Sequence, residues 1–186
     1  MKLILSGGEM PRIGFARLCA GGGGVVMLLC QLSSVAAQQA PRLDCKAADH
    51  RAFDFWIGDW NVTDSAGRVV YGTNHVSSEE QGCVLRERWT GSRGGTGQSL
   101  NFFDRISGRW HQVWVGNDGL VLRIGGGLRD GQMVLEGDGM NAQGQAVFHR
   151  ATWSRQADGR VRQYWQQSSD RGGTWQVVFD GWYRRL

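Results

Sequence analysis

Glu87 lies in the run Leu85-Arg86-Glu87-Arg88-Trp89. Successive side chains of an extended segment point to opposite faces. If Arg86 and Arg88 face water, Glu87 turns inward with Leu85 and Trp89. A carboxyl placed among apolar side chains is harder to ionise, and a raised pKa is what a general base working near neutrality requires. The same alternation sets other polar groups among rings. Trp110, Gln112 and Trp114 share a face, as do Val161, Gln163 and Trp165. Asn101 and Arg150 fall on the same expected inner set. Glu87, Trp89, Asn101, Trp110, Gln112, Trp114, Arg150, Gln163 and Trp165 thus form an aromatic wall with scattered polar groups, the composition of a small-molecule site. The competing reading is a filled core in which these groups satisfy one another around buried water, with Glu87 simply paired to Arg150.

Other chemistries find less support. The histidines are His50, His75, His111 and His149, and none makes a His-x-His or His-x-x-x-His pair, so no metal site is expected. A single axial ligand would suffice for haem, which leaves His149 or His75 as the only route to a cofactor; otherwise none is expected. Gly125-Gly126-Gly127 is not followed by Lys-Ser/Thr and opens no helix, so it is not a phosphate loop. No Gly-x-Ser-x-Gly elbow occurs and no catalytic residue is assigned. Cys45 and Cys83 remain once the leader is set aside. An even count in an exported chain points to a disulfide, the alternative being a nucleophilic Cys83 without a recognisable His and acid around it.

The elements that must carry these side chains are strands. From Phe55 onward about ten short runs recur, near 56–64, 68–79, 83–90, 97–104, 109–115, 119–125, 131–138, 145–154, 159–168 and 174–185. Turn chemistry separates them: Ser65-Ala66-Gly67, Asn117-Asp118-Gly119, Asp130-Gly131 and Asp158-Gly159 place Gly where tight hairpins need positive φ. Sequence neighbours should therefore pair in space. The expected fold is all-β, an up-and-down antiparallel β-barrel of about ten strands over residues 53–186, since closing such a meander removes its exposed edges. Residues 38–52 read as a polar tether and a short helical cap. A barrel of this size is wide enough to leave a cavity.

Residues 1–37 fit a secretory signal: Lys2, Arg12 and Arg17 precede the uncharged run Leu18–Leu32, and Val35-Ala36-Ala37 offers small residues for cleavage. The run is short for a membrane span, so no stable span is expected after cleavage, with a retained anchor as the alternative. The location implied is periplasmic or secreted. The net charge of +4 falls to +2 without Lys2, Glu9, Arg12 and Arg17. Nothing resembles the concentrated basic footprint of a nucleic-acid binder.

Two resemblances add to this. Ser168-x-Asp170-x-Gly172-x-Thr174-Trp175 is similar to the Asp-box, a hairpin element of sialidases and other β-propellers. The resemblance implies a structural turn capped by Ser and Asp, and carries no sialidase activity. Phe53-Asp54-Phe55-Trp56-Ile57-Gly58-Asp59-Trp60 resembles the opening strand of calycins, the lipocalins and fatty-acid-binding-like barrels. There the Trp plugs the closed end near a basic residue of the last strand. That resemblance implies structural roles for Trp56, Gly58 and Trp60, with Arg184 or Arg185 as the stacking partner. More closely, residues 50–186 look like an uncharacterised bacterial family with a lipocalin-like fold, labelled domain of unknown function 1579. The matching motifs are Gly82-Cys83-x-Leu85-x-Glu87-x-Trp89, Trp110-His111-Gln112-x-Trp114 and Trp175-x-x-x-Phe179-x-Gly181-x-Tyr183-x-Arg185.

The function expected is an exported barrel binding a small hydrophobic or aromatic molecule. An enzyme using Glu87 as general base, and a structural or interaction module with a filled barrel, are the alternatives. The oligomeric state is left open.

Overall fold

The computed structural model describes residues 44–186, so the expected leader and most of the tether lie outside the described residues. A helical turn α1 (Ala48–Arg51) and a 3₁₀ turn (Asp54–Trp56) lead into ten strands. These are β1 (Gly58–Thr63), β2 (Val70–Glu79), β3 (Val84–Gly91), β4 (Thr96–Asp104), β5 (Arg109–Gly116), β6 (Val121–Arg129), β7 (Gln132–Met140), β8 (Ala146–Arg155), β9 (Val161–Ser168) and β10 (Gln176–Arg185). Each strand pairs antiparallel with its sequence neighbour, and β1 pairs with β10 to close the barrel. The up-and-down barrel expected from the turn spacing is the fold observed. Local chemistry explains the meander, since residues 67, 108, 119, 131, 144 and 159 are glycines at positive φ in tight turns.

The alternation behaves as the strand pattern requires. In β8, Val147, His149, Ala151 and Trp153 are buried while the residues between them are not. The N-terminal turns close one end. Phe53 and Trp56 are fully buried and stack with ring centroids 5.0 Å apart. Phe53 meets Trp110 and Trp153 edge-on at 5.6 and 5.2 Å. The Trp110 indole donates to the Asp49 carbonyl at 2.9 Å, which fastens α1 over this plug.

Cys45 and Cys83 form a disulfide across 38 residues of sequence, tying the segment before α1 to the turn before β3. On the chain-entropy account a loop of that length contributes roughly 3–4 kcal/mol.

The seam is held at Trp60. Its indole donates to the Trp56 carbonyl at 2.9 Å, and the Arg185 guanidinium lies over its ring at 4.5 Å. Arg185 also donates to the Ile57 carbonyl at 3.1 Å. Gly58 makes room for this: at φ 146° it adopts a conformation L side chains avoid, and a Cβ there would collide with the Arg185 guanidinium. The stacking partner is therefore Arg185. Arg184, the other expected candidate, is exposed on the outer face opposite Asn61, one strand position out of phase.

A second register effect occurs in β10. Simple alternation would put Trp175, Val177, Phe179 and Tyr183 on one face, but an irregularity between Val177 and Phe179 shifts the pairing. Val177 turns outward and Phe179 and Tyr183 inward. Trp175 packs outside the barrel, under the Arg150 guanidinium at 4.1 Å. The adjoining turn behaves as the Asp-box resemblance implies. Asp170 accepts from the Thr174 backbone and hydroxyl, each at 2.8 Å, and Ser168 Oγ accepts from Gly172 N at 2.7 Å. Hydrogen bonds from Ser168 and Thr174 hold the Asp170 carboxyl down at about 2.

Replacing Trp60 with Ala should cost about 3–5 kcal/mol of unfolding free energy in urea titrations. Arg185→Ala should cost about 0.5–1 kcal/mol, the range of a cation–π contact from an exposed arginine, and Arg184→Ala close to nothing. Equal losses for the two arginines would show that the seam is not locked by Arg185.

Candidate functional site

The barrel interior is divided. The plugged half is filled by Phe53, Trp56, Trp110, Met133, Leu135 and Trp153. The other half keeps a cavity of about 220 Å³. Trp89 on β3, Trp114 on β5, Trp165 on β9 and Phe179 on β10 supply its rings. Leu122, Ala151 and Tyr183 complete the apolar wall, and Glu87, Gln112 and Gln163 bring polar groups. Trp114 reaches its place because its ring lies over Gly97 of β4, two residues along from its cross-strand partner Ser99; a Cβ there would run into the indole.

Glu87 is 4 % exposed. Its Oε1 accepts from Asn74 Nδ2 at 2.9 Å and its Oε2 from Ser99 Oγ at 2.6 Å. The hydroxyl's direction is set by what stands behind it. Gln112 Nε2 donates to Asn101 Oδ1 at 2.8 Å, and Asn101 Nδ2 donates to Ser99 Oγ at 2.8 Å and to the Leu85 carbonyl at 3.1 Å. Ser99, accepting from Asn101, has its own proton to give to Glu87. An oriented chain from β5 through β4 thus ends on the carboxylate of β3, where Asn74 of β2 adds a separate donor. Burial pushes the Glu87 carboxyl up to about 7, against the pull of these two donors. Tyr183 is raised well above its ordinary value, first by burial and then by the Glu87 charge, and its hydroxyl donates to Gln163 Oε1.

Six of the nine expected site residues line the cavity: Glu87, Trp89, Gln112, Trp114, Gln163 and Trp165. Three do not. Trp110 belongs to the plug, where its ring packs on Phe53 and Phe103. Asn101 is fully buried behind the wall and acts on Glu87 only through Ser99. Arg150 faces outward from β8, its neighbours Ala151 and His149 taking the inner positions. There Arg150 donates to Glu136 at 2.6 Å, so it neither enters the cavity nor pairs with Glu87.

Asn74 and Ser99 were missed by sequence reasoning. Their signal was positional: Ser99 sits directly opposite Glu87 in the β3–β4 register, and Asn74 alternates with buried Gly72 and Val76. Leu122, Ala151, Phe179 and Tyr183 are further lining residues outside the expected set.

The two histidines considered for haem are committed elsewhere. His75 bonds Asp59 at 2.5 Å on the outer face. His149 is buried and accepts from Trp165 Nε1 at 3.1 Å through Nδ1, and burial lowers its pKa. Among the described residues no cluster of three or more His, Cys, Asp or Glu is arranged to hold a metal ion.

The fold and site thus define a class, a closed ten-stranded β-barrel with one plugged half and one aromatic-lined half holding a buried carboxyl. No protein-family model matches the chain, and no curated protein matches it.

Glu87 prefers its proton in the folded state. Between the ordinary carboxylate range and about pH 7 the folded protein keeps a proton that the unfolded chain has released, so stability falls as pH rises through that window. His149, with a lowered pKa, works in the opposite sense, losing stability as pH falls, so the comparison must be with a variant. Relative to Glu87→Gln, wild type should lose on the order of 3 kcal/mol of unfolding free energy between about pH 4 and pH 8. Urea titrations across that range measure it. A constant difference would mean that Glu87 titrates as an ordinary solvated carboxylate.

Proposed function

We propose that this protein is an exported, lipocalin-like barrel that binds a small, largely apolar molecule in the half of its interior left open. The observation that carries the reading is the cavity itself: four aromatic rings and a few convergent polar groups around about 220 Å³. A barrel evolved only as a scaffold would fill that space, since packing voids cost stability. The volume also sizes the ligand. It is below the 300–1,000 Å³ usual for drug-sized molecules and above the roughly 150 Å³ that accommodates benzene. That size favours a single-ring aromatic or compact alkyl compound over a long-chain lipid or a haem.

Export is supported by the Cys45–Cys83 bridge and by the signal-like pattern of residues 1–37. Among the described residues no helix is long and apolar enough to cross a membrane. Membership of the family labelled domain of unknown function 1579 is part of the same proposal and rests on the spaced aromatic motifs.

One feature favours a second reading, an enzyme with Glu87 as general base. Burial pushes the carboxyl up to about 7, and it faces the cavity with no cation beside it among the described residues, the condition a base working near neutrality needs. The two readings part on whether a bound compound is recovered unchanged.

Tryptophan fluorescence and thermal-shift titrations against single-ring aromatics, quinones, long-chain lipids and haem should show quenching and a raised Tm with the small compounds only. No response to any of them would remove the binding reading.

A further inference from the structure

Glu87 is a buried carboxylate whose two oxygens both receive hydrogen bonds, from Asn74 and Ser99. That pattern suits the ionised form, which only accepts. Yet none of the ion pairs among the described residues includes it. A buried anion without a countercharge is costly, and proteins usually pair such groups. The arginines flanking it, Arg86 and Arg88, lie on the outer face, where Arg86 engages Gln98 and Glu79.

The groups facing Glu87 from each packed element are neutral. They are Asn74 from β2, Ser99 and Asn101 from β4, Gln112 from β5, Gln163 from β9 and Tyr183 from β10. His149 of β8 accepts from the Trp165 indole, and burial disfavours its charged form. Gln112 commits its NH₂ to Asn101, which leaves its carbonyl oxygen as a second acceptor. Tyr183 gives its hydroxyl proton to Gln163. The countercharge that the protein withholds can come only from the cavity, and the cavity is walled by Trp89, Trp114, Trp165 and Phe179. Faces of such rings attract cations, and boxes of them recognise quaternary ammonium groups.

We infer that the ligand is a small organic cation, a quaternary or protonated amine on an apolar body, with its charge against Glu87 and inside the four-ring box. This deepens the proposed binding function and rests on it. An anion would face Glu87 directly. By volume the body has roughly ten non-hydrogen atoms, scaled from the cavity that holds benzene.

The test uses phenyltrimethylammonium and its neutral isostere tert-butylbenzene, titrated calorimetrically into the protein with its Cys45–Cys83 bridge intact. The charge of the first is fixed, so any pH dependence belongs to the protein. At pH 8.5 the cation should bind at least tenfold tighter than the isostere. Lowering the pH to 5.5 should weaken the cation at least tenfold and leave the isostere unchanged, because Glu87 takes up a proton. Glu87→Gln should lose the pH dependence and most of the preference for the cation, keeping only what the rings supply. Gln fits the same place if the Asn74 amide turns to present Oδ1, which makes no hydrogen bond in the wild type. Should that variant fail to fold, the wild-type pH profiles decide alone. Binding of the isostere as tight as the cation at pH 8.5 overturns the cationic ligand and leaves the apolar cavity reading standing. Binding of neither compound removes both.

Discussion

A barrel of ten strands depends on its last strand finding its first. That pairing joins the two most distant parts of the domain, and no tight turn enforces it. Here the constraint is a single stack. Arg185 lies on Trp60 and donates to Ile57, so one side chain of β10 is bound both to β1 and to the turn preceding it. The register Trp60↔Arg185 follows, and with it the pairing down to Thr63↔Trp182. Because the indole of Trp60 is bonded to Trp56, the same contact seats the plug. The Cys45–Cys83 bridge holds the plug from its other side. Closure of the wall and closure of the end are thus one event, driven mainly by burial of Phe53, Trp56, Trp60 and Tyr183.

The plug also explains why the interior is unequal. Phe53 and Trp56, delivered from the turns before β1, meet Trp110 of β5, Met133 and Leu135 of β7 and Trp153 of β8, and together they fill one half. In the other half the strands supply their own side chains, and these line the wall without meeting at the axis. Trp89, Trp114 and Trp165 lie along the wall, Trp114 over a glycine of the neighbouring strand.

What could be read from the residues follows from period and turn. Alternation of two and glycine-bearing turns specify strands, their number and their meander, since those are local properties. Glu87 between Arg86 and Arg88 was legible for the same reason: two charged neighbours determine which way it points. Register was not legible where the pattern is ambiguous or broken. Arg184 and Arg185 are identical side chains in adjacent positions, and only the pairing with β1 decides between them. An irregularity between Val177 and Phe179 puts Trp175 outside and Phe179 inside, and no residue type announces it. Arg150 illustrates a different limit. Its flanking residues His149 and Ala151 carry no strong preference for either face, whereas Glu136 on β7, opposite it, settles the matter. Asn74 and Ser99 matter only through a cross-strand partner, so a strand-by-strand reading passes them over.

The energetic tension of the molecule is concentrated at Glu87. A chain of amides and a hydroxyl, drawn from β2, β4 and β5, is aimed at a carboxylate that burial would otherwise keep protonated. If the only demand were stability, an apolar side chain at this position would relieve the desolvation and would also free Asn74, Ser99, Asn101 and Gln112 from the interior. The barrel has instead surrounded a destabilising charge with donors that favour its ionised form. Burial outweighs the donors, and their opposing pull leaves the group poised near neutrality. A carboxyl in that balance changes charge with a small change in its surroundings. The surroundings free to change are those on the cavity side, where the protein presents rings and no cation.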